Sequence, residues 1–195
     1  MKIFFLIAVL LLSVLGKSQD TLFFMNGKDM LVKYKDTTDL KVVYNKKGKD
    51  KSSYVENIFA VGTSKGRIYF YKQDTVVGDD YSIEQMEQYQ IGLRLAKKNF
   101  NTDLTAGVAT VTGLASAYFL KSGFYGWLPV LGYTGLTGTL NPKISKLKLS
   151  ENERANEFLI YGYIDGANRK KIRRTALAGT VGFVAGVIIT GSLPE

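Results

Sequence analysis

The sequence predicts an α+β protein, with a small antiparallel β unit near the N-terminus and a helical, glycine-rich, membrane-associated second half. Three observations carry that expectation. Residues 20–73 alternate short β-prone runs with tight-turn residues. Residues 82–195 contain three charge-free stretches, 104–120, 122–142 and 175–194. Residues 1–18 have the layout of an export signal.

In that signal, Lys2 supplies the positive start and residues 3–15 the apolar core. Gly16 and Ser18 put small residues where a signal peptidase inspects the chain, so the expected mature start is Gln19. The competing reading is an uncleaved anchor, but the apolar run is short against the roughly 20 residues a spanning helix needs. Either way, the following chain is expected outside the cytoplasm.

The β-rich domain is expected over residues 19–73, with strands at 21–25, 30–34, 40–44, 54–61 and 67–71. Asn26-Gly27 predicts a type I′ hairpin, because both residues tolerate a positive φ. Met30, Val32 and Tyr34 alternate with Leu31, Lys33 and Lys35, as a half-buried strand requires. Residues 46–51 form a charged tip around Gly48, and Thr63-Ser64-Lys65-Gly66 is a further turn. The spacing of these strands resembles the SH3-like and Sm-like barrels, without a signature motif. Residues 74–81, with Gly78, Asp79 and Asp80, form a polar linker.

Helix then follows from Ser82, where Ser82 and Gln85 have the capping-box form. Ile83, Met86, Tyr89 and Leu93 lie at helical spacing, and Arg94, Lys97 and Lys98 suit the negative end of the helix dipole. The three apolar runs are each close to membrane-spanning length. Ala109, Gly113 and Ala117 recur every fourth residue, as do Ala178, Gly182 and Gly186. Small residues at that spacing let two helix backbones approach closely in a membrane; a water-soluble helical hairpin could use them in the same way. Gly132, Gly135 and Gly138, with Pro129, predict a broken or re-entrant helix in the middle run. Ser150 and Glu153 repeat the capping box and open the last helix, which Gly162 and Gly166 are expected to weaken. Arg169, Lys170, Lys171, Arg173 and Arg174 then form a basic collar before the final run. Near an anionic surface each basic residue contributes about 1 kcal/mol, so phospholipid head groups are the expected contacts, with a solvated helix face as the alternative. Two capped helices, each leading through basic residues into a small-residue run, echo one another at an offset drifting from 68 to 72 residues.

Cys and His are absent, which removes disulfides, thiolate chemistry, the commonest general base and the commonest metal ligand. No phosphate-binding glycine loop or calcium loop is present, and the adjacent acids Asp79-Asp80 lie in the linker. No enzyme activity, cofactor, metal or nucleic acid is therefore expected, although the net charge of +9 favours anionic partners.

The stretch Asn156-Glu157-Phe158-Leu159-Ile160-Tyr161-Gly162-Tyr163, then Gly166-Ala167-Asn168-Arg169-Lys170-Lys171 and a glycine-rich tail, resembles a group of small uncharacterised exported bacterial envelope proteins. They pair an N-terminal β-rich unit with glycine-rich membrane segments. The likeness covers residues 81–191 and implies an envelope location without a known activity. The expectation is a membrane-anchored binding or scaffold module, touching membrane lipids and an envelope protein or a second copy of itself. The alternatives are a subunit of a transport or pore-like assembly, and a soluble periplasmic protein with a buried helical hairpin. One tension remains within the membrane expectation. An export signal followed by two crossings leaves the collar on the non-cytoplasmic side, against the positive-inside tendency.

Overall fold

The computed structural model describes residues 19–73, 81–120, 125–143, 147 and 149–191. The export signal and nearly all of the linker lie outside the described residues. The chain is α+β and divides into two compact units, 1–83 and 84–195.

The first unit is a six-stranded antiparallel sheet in the order β4-β3-β2-β1-β5-β6. Its strands are β1 (Asp20–Phe24), β2 (Asp29–Thr37), β3 (Lys41–Lys46), β4 (Lys49–Tyr54), β5 (Ile58–Thr63) and β6 (Gly66–Tyr69). The first four form a meander, and β5 returns to pair with β1, Leu22 opposite Val61. Leu22, Val32, Val42, Tyr44, Ile58 and Val61 form the core, flanked by half-buried Met30 and Tyr34. The alternation along β2 thus sends Val32 inward and leaves Leu31 exposed.

Two turns differ from expectation. At Asn26-Gly27 only Gly27 has a positive φ, of 68°, and the amide of Phe24 donates to Lys28 across the loop. The Asn26 side chain instead accepts from the Lys28 amide at 3.0 Å, so it braces a three-residue loop rather than a type I′ turn. The charged tip at 46–51 is a two-residue hairpin turn joining β3 to β4. Lys47 and Gly48 have φ of 53° and 83°, and Lys46 pairs with Lys49. The residues expected in one strand, 54–61, contain a 3₁₀ turn over Val55–Asn57 that separates β4 from β5.

The second unit is helical: α1 (Ile83–Asn99), α2 (Asp103–Leu120), α3 (Leu128–Thr139), the one-turn α4 (Glu151–Arg154) and α5 (Glu157–Gly191). The Ser150–Glu153 capping box forms, but it opens α4 rather than the long helix. Asn156 caps α5 instead, its side chain accepting from the Leu159 amide at 3.1 Å. The helix runs on through Gly162 and Gly166 for 35 residues, about 52 Å. Despite Gly132, Gly135 and Gly138, the middle apolar run holds a helix of 12 residues, with Pro129 in its first turn where a missing N–H is harmless.

Candidate functional site: a glycine-lined helix interface and a basic collar

The site is built on α5, along which α1 and then α2 run in the same direction. In the lower crossing, Gly92 of α1 meets Gly162 of α5. A Cβ added at Gly92 would lie 2.7 Å from the Tyr163 nitrogen, and one added at Gly162 would lie 2.8 Å from the Tyr89 carbonyl carbon. One turn further on, a Cβ at Gly166 would meet Ala96 Cβ at 2.9 Å. In the upper crossing, a Cβ at Gly113 would lie 2.6 Å from the Phe183 nitrogen, and one at Gly182 would lie 2.9 Å from the Thr110 carbonyl carbon. A Cβ at Gly186 would then meet Ala117 Cβ at 2.6 Å.

These are two copies of one arrangement. Each puts a small-xxx-small pair on either helix, with backbone against backbone, so that at Gly92, Gly113, Gly162 and Gly182 not even a methyl group fits between. The copies lie 21 residues apart on the α1–α2 rod and 20 apart on α5, about 30 Å along the helix. The one-residue difference falls at the break between α1 and α2, residues 100–102. Partners across each crossing differ by about 70 in number, within the offset of the sequence echo. The echoing segments therefore pack side by side.

Of the packing residues expected from sequence, Ala109, Gly113 and Ala117 are buried on the α5-facing side of α2. Gly182 and Gly186 face them, and Ala178 is only half-buried beside the contact. The third glycine in that face is Gly179, where an added Cβ would meet Val130 Cγ1 of α3 at 2.5 Å. Sequence reasoning left Gly179 out of the packing set and missed the whole lower crossing. Gly92, Gly162 and Gly166 sit among charged and aromatic residues, which disguised a spacing identical to that of the apolar run.

Helix α3 runs back down α5, antiparallel to it. Trp127, just before α3, packs against Phe183 with ring centroids 4.5 Å apart and the planes tilted by 42°. Thr137 then faces Thr175 at 3.4 Å between hydroxyl oxygens, and the Asn168 side chain donates to that of Asn141 at 2.7 Å. Chain leaving along α2 thus returns along α3 to the level of the collar.

The collar residues do several different jobs. Lys171 is 6 % exposed, and its ammonium donates to the Leu140 carbonyl at the end of α3. Lys170 donates to the carbonyls of Lys97 and Phe100 at 2.6 and 2.7 Å, at the end of α1. Each lysine thereby satisfies carbonyls that a helix end leaves unpaired. Burial holds both ammonium groups below the ordinary lysine range, and neighbouring Arg174 adds to that for Lys170. Arg169 pairs with Asp165 one turn away at 2.7 Å, and Arg174 with Asp103 at the start of α2 at 3.4 Å. Arg173 is exposed. The outward-facing members of the expected head-group set are therefore Arg169, Arg173 and Arg174.

The surroundings of the two crossings differ. Beside the lower one, α1 carries Glu84, Glu87, Arg94, Lys97 and Lys98. Beside the upper one, the only charged residue on α2 is Asp103 at its first position, and α3 has none. Leu104, Val111 and Phe119 of α2, Leu131 and Leu136 of α3, and Leu177, Val181 and Ile188 of α5 all point outward and are exposed. Among the described residues, α5 is the one helix both long and apolar enough to cross a membrane.

Comparison with known protein families, curated proteins and solved structures finds no match.

Proposed function

We propose that this chain is a non-enzymatic, exported envelope protein, anchored in a membrane by its helical unit and carrying a β unit that serves as a binding or scaffold module. One observation carries the reading: the upper bundle is small and close-packed inside and apolar outside. Water offers no stabilisation for exposed Leu, Val and Ile in such number on three adjacent helices, whereas a bilayer does. Residues 175–191 of α5 are about 25 Å long and α2 about 27 Å, each close to a hydrocarbon core of about 30 Å. At about 18 Å, α3 is too short to cross alone, and it lies against α5 as a return segment. Arg173 and Arg174 mark one boundary of the apolar band. Tyr118, Phe119, Tyr125 and Trp127 mark the other, as aromatic residues do at membrane interfaces.

Carbonate washing of isolated membranes followed by detergent extraction tests this. The chain is expected in the carbonate-resistant pellet; recovery in the soluble fraction after mild lysis defeats the anchor and favours the soluble periplasmic alternative. A second reading, self-association into a larger membrane assembly, draws on Gly132 and Gly135. Both face open space on α3, leaving a surface where another helix could approach. A defined oligomer on sizing in detergent supports it, and a monomer removes it.

A further inference from the structure

We propose that the outer face of α2 holds one acyl chain of a phospholipid whose primary ammonium and phosphate are met by Asp103 and Arg174. The proposal rests on the membrane reading above and names the lipid that reading would bring to this surface. The face carries a groove of about 790 Å³ lined by Leu104, Gly107, Val111, Ala115 and Phe119, with Asp103 at one end. These residues recur every three or four positions, so they form a single stripe along the helix. From Leu104 to Phe119 the stripe is about 22 Å long. Half of a hydrocarbon core of about 30 Å is shorter than that, so one leaflet's acyl chain fits along it. Gly107 is exposed with open space beside its Cα, which lets a chain lie directly against the backbone.

The charges at the mouth select the head group. Arg174 Nη1 stands 3.4 Å from Asp103 Oδ1, and the two side chains are 54 % and 75 % exposed. An exposed pair of that kind is held only weakly, so either member can exchange its partner at little cost. A carboxylate and a guanidinium one ion-pair distance apart complement an ammonium and a phosphate joined by two carbons. Both new contacts are charge-assisted hydrogen bonds. A choline head group has no N–H to donate to Asp103. A glycerol head group offers that carboxylate only neutral hydroxyls, with no positive charge to pair with it.

The test uses the full-length chain reconstituted in nanodiscs with equal phosphatidylethanolamine, phosphatidylcholine and phosphatidylglycerol, and retained lipid is identified by native mass spectrometry. The wild type is expected to retain one phosphatidylethanolamine. Gly107→Phe, whose side chain fills the groove without meeting another atom at its Cβ, is expected to lower occupancy by about tenfold or more. Val111→Trp fills the same groove from an exposed position and should act alike. Asp103→Asn should keep a lipid but lose the preference for ethanolamine over choline. Retention of no lipid by the wild type, equal retention by Gly107→Phe and Val111→Trp, or enrichment of phosphatidylglycerol would overturn the proposal. Carbonate extraction separates the two failures. Wild type that pellets but fails the lipid test sinks the groove alone, while wild type that is washed free sinks the anchor with it.

Discussion

The lower and upper crossings on α5 share one backbone geometry and have different outer surfaces. Gly92 against Gly162 and Gly113 against Gly182 each set backbone against backbone, yet one contact sits beside Arg94, Lys97 and Lys98 and the other beside Val111, Leu177 and Val181. Close glycine packing is thus not the membrane signature here, because it serves both places. What differs is the residue set turned away from the contact, and under the proposed membrane anchoring that set assigns the medium. The crossings also explain why α5 continues unbroken through its glycines. A helix loses about 1 kcal/mol for each interior Gly relative to Ala, and here close approach to a second backbone offsets it.

The sharpest way to break the equivalence is to put bulk into each crossing. Gly162→Leu and Gly182→Leu should each destabilise the helical unit by more than about 3 kcal/mol, because the new side chain meets backbone rather than a movable side chain. Denaturant titration in detergent micelles measures both, and a large loss for only one would show that the crossings are not equivalent. A charge on the outer face tests the difference instead. Val181→Arg should cost about 2.5–3.5 kcal/mol in membrane partition at mid-span. Tyr161→Arg, on the exposed face beside the lower crossing, should change stability by no more than about 0.5 kcal/mol, since Glu157 one turn earlier can pair with it. Equal effects in carbonate partition would remove the assignment of two media.

A smaller effect is expected at the collar, where the two regions join. Lys171→Met leaves the Leu140 carbonyl without its donor beneath α3 and should cost about 1–3 kcal/mol. Arg173→Met, on an exposed side chain, should stay within about 0.5 kcal/mol. Thermal unfolding in detergent compares them, and equal stability would mean that Lys171 does not hold α3 against α5.

Local chemistry made much of this legible. The β-rich N-terminal unit, its alternation at Met30, Val32 and Tyr34, and the face formed by Ala109, Gly113 and Ala117 all follow from spacing of 2 or about 4 residues. What was hidden depended on partners distant in sequence. Lys47-Gly48 turned like a type I′ hairpin because β3 and β4 pair in register on both sides, while Asn26 gave its side chain to the Lys28 amide. Gly162 and Gly166 looked like weak points until Gly92 and Ala96 stood against them. The collar read as one positive patch, yet Lys170 and Lys171 turn toward the carbonyl ends of α1 and α3, which meet α5 only in the folded chain.

The smallest expected effect has the opposite sign and tests whether packing or sequence spacing decides a glycine's role. Gly107 lies in the same apolar helix as Gly113, and Gly132 lies on α3 half a turn past Val130, which meets Gly179, but an added Cβ at either Gly107 or Gly132 meets no atom within 4 Å. Each therefore carries the helix penalty of glycine without an offsetting contact. Gly107→Ala and Gly132→Ala should stabilise the fold by about 0.5–1 kcal/mol, through propensity and a less flexible unfolded chain. Gly113→Ala should destabilise it, since its one added methyl lands on the Gly179 carbonyl. The same denaturation titration reads all three. If Gly132→Ala proves destabilising, α3 has a close neighbour from a second chain, and the self-association reading gains the contact surface it requires.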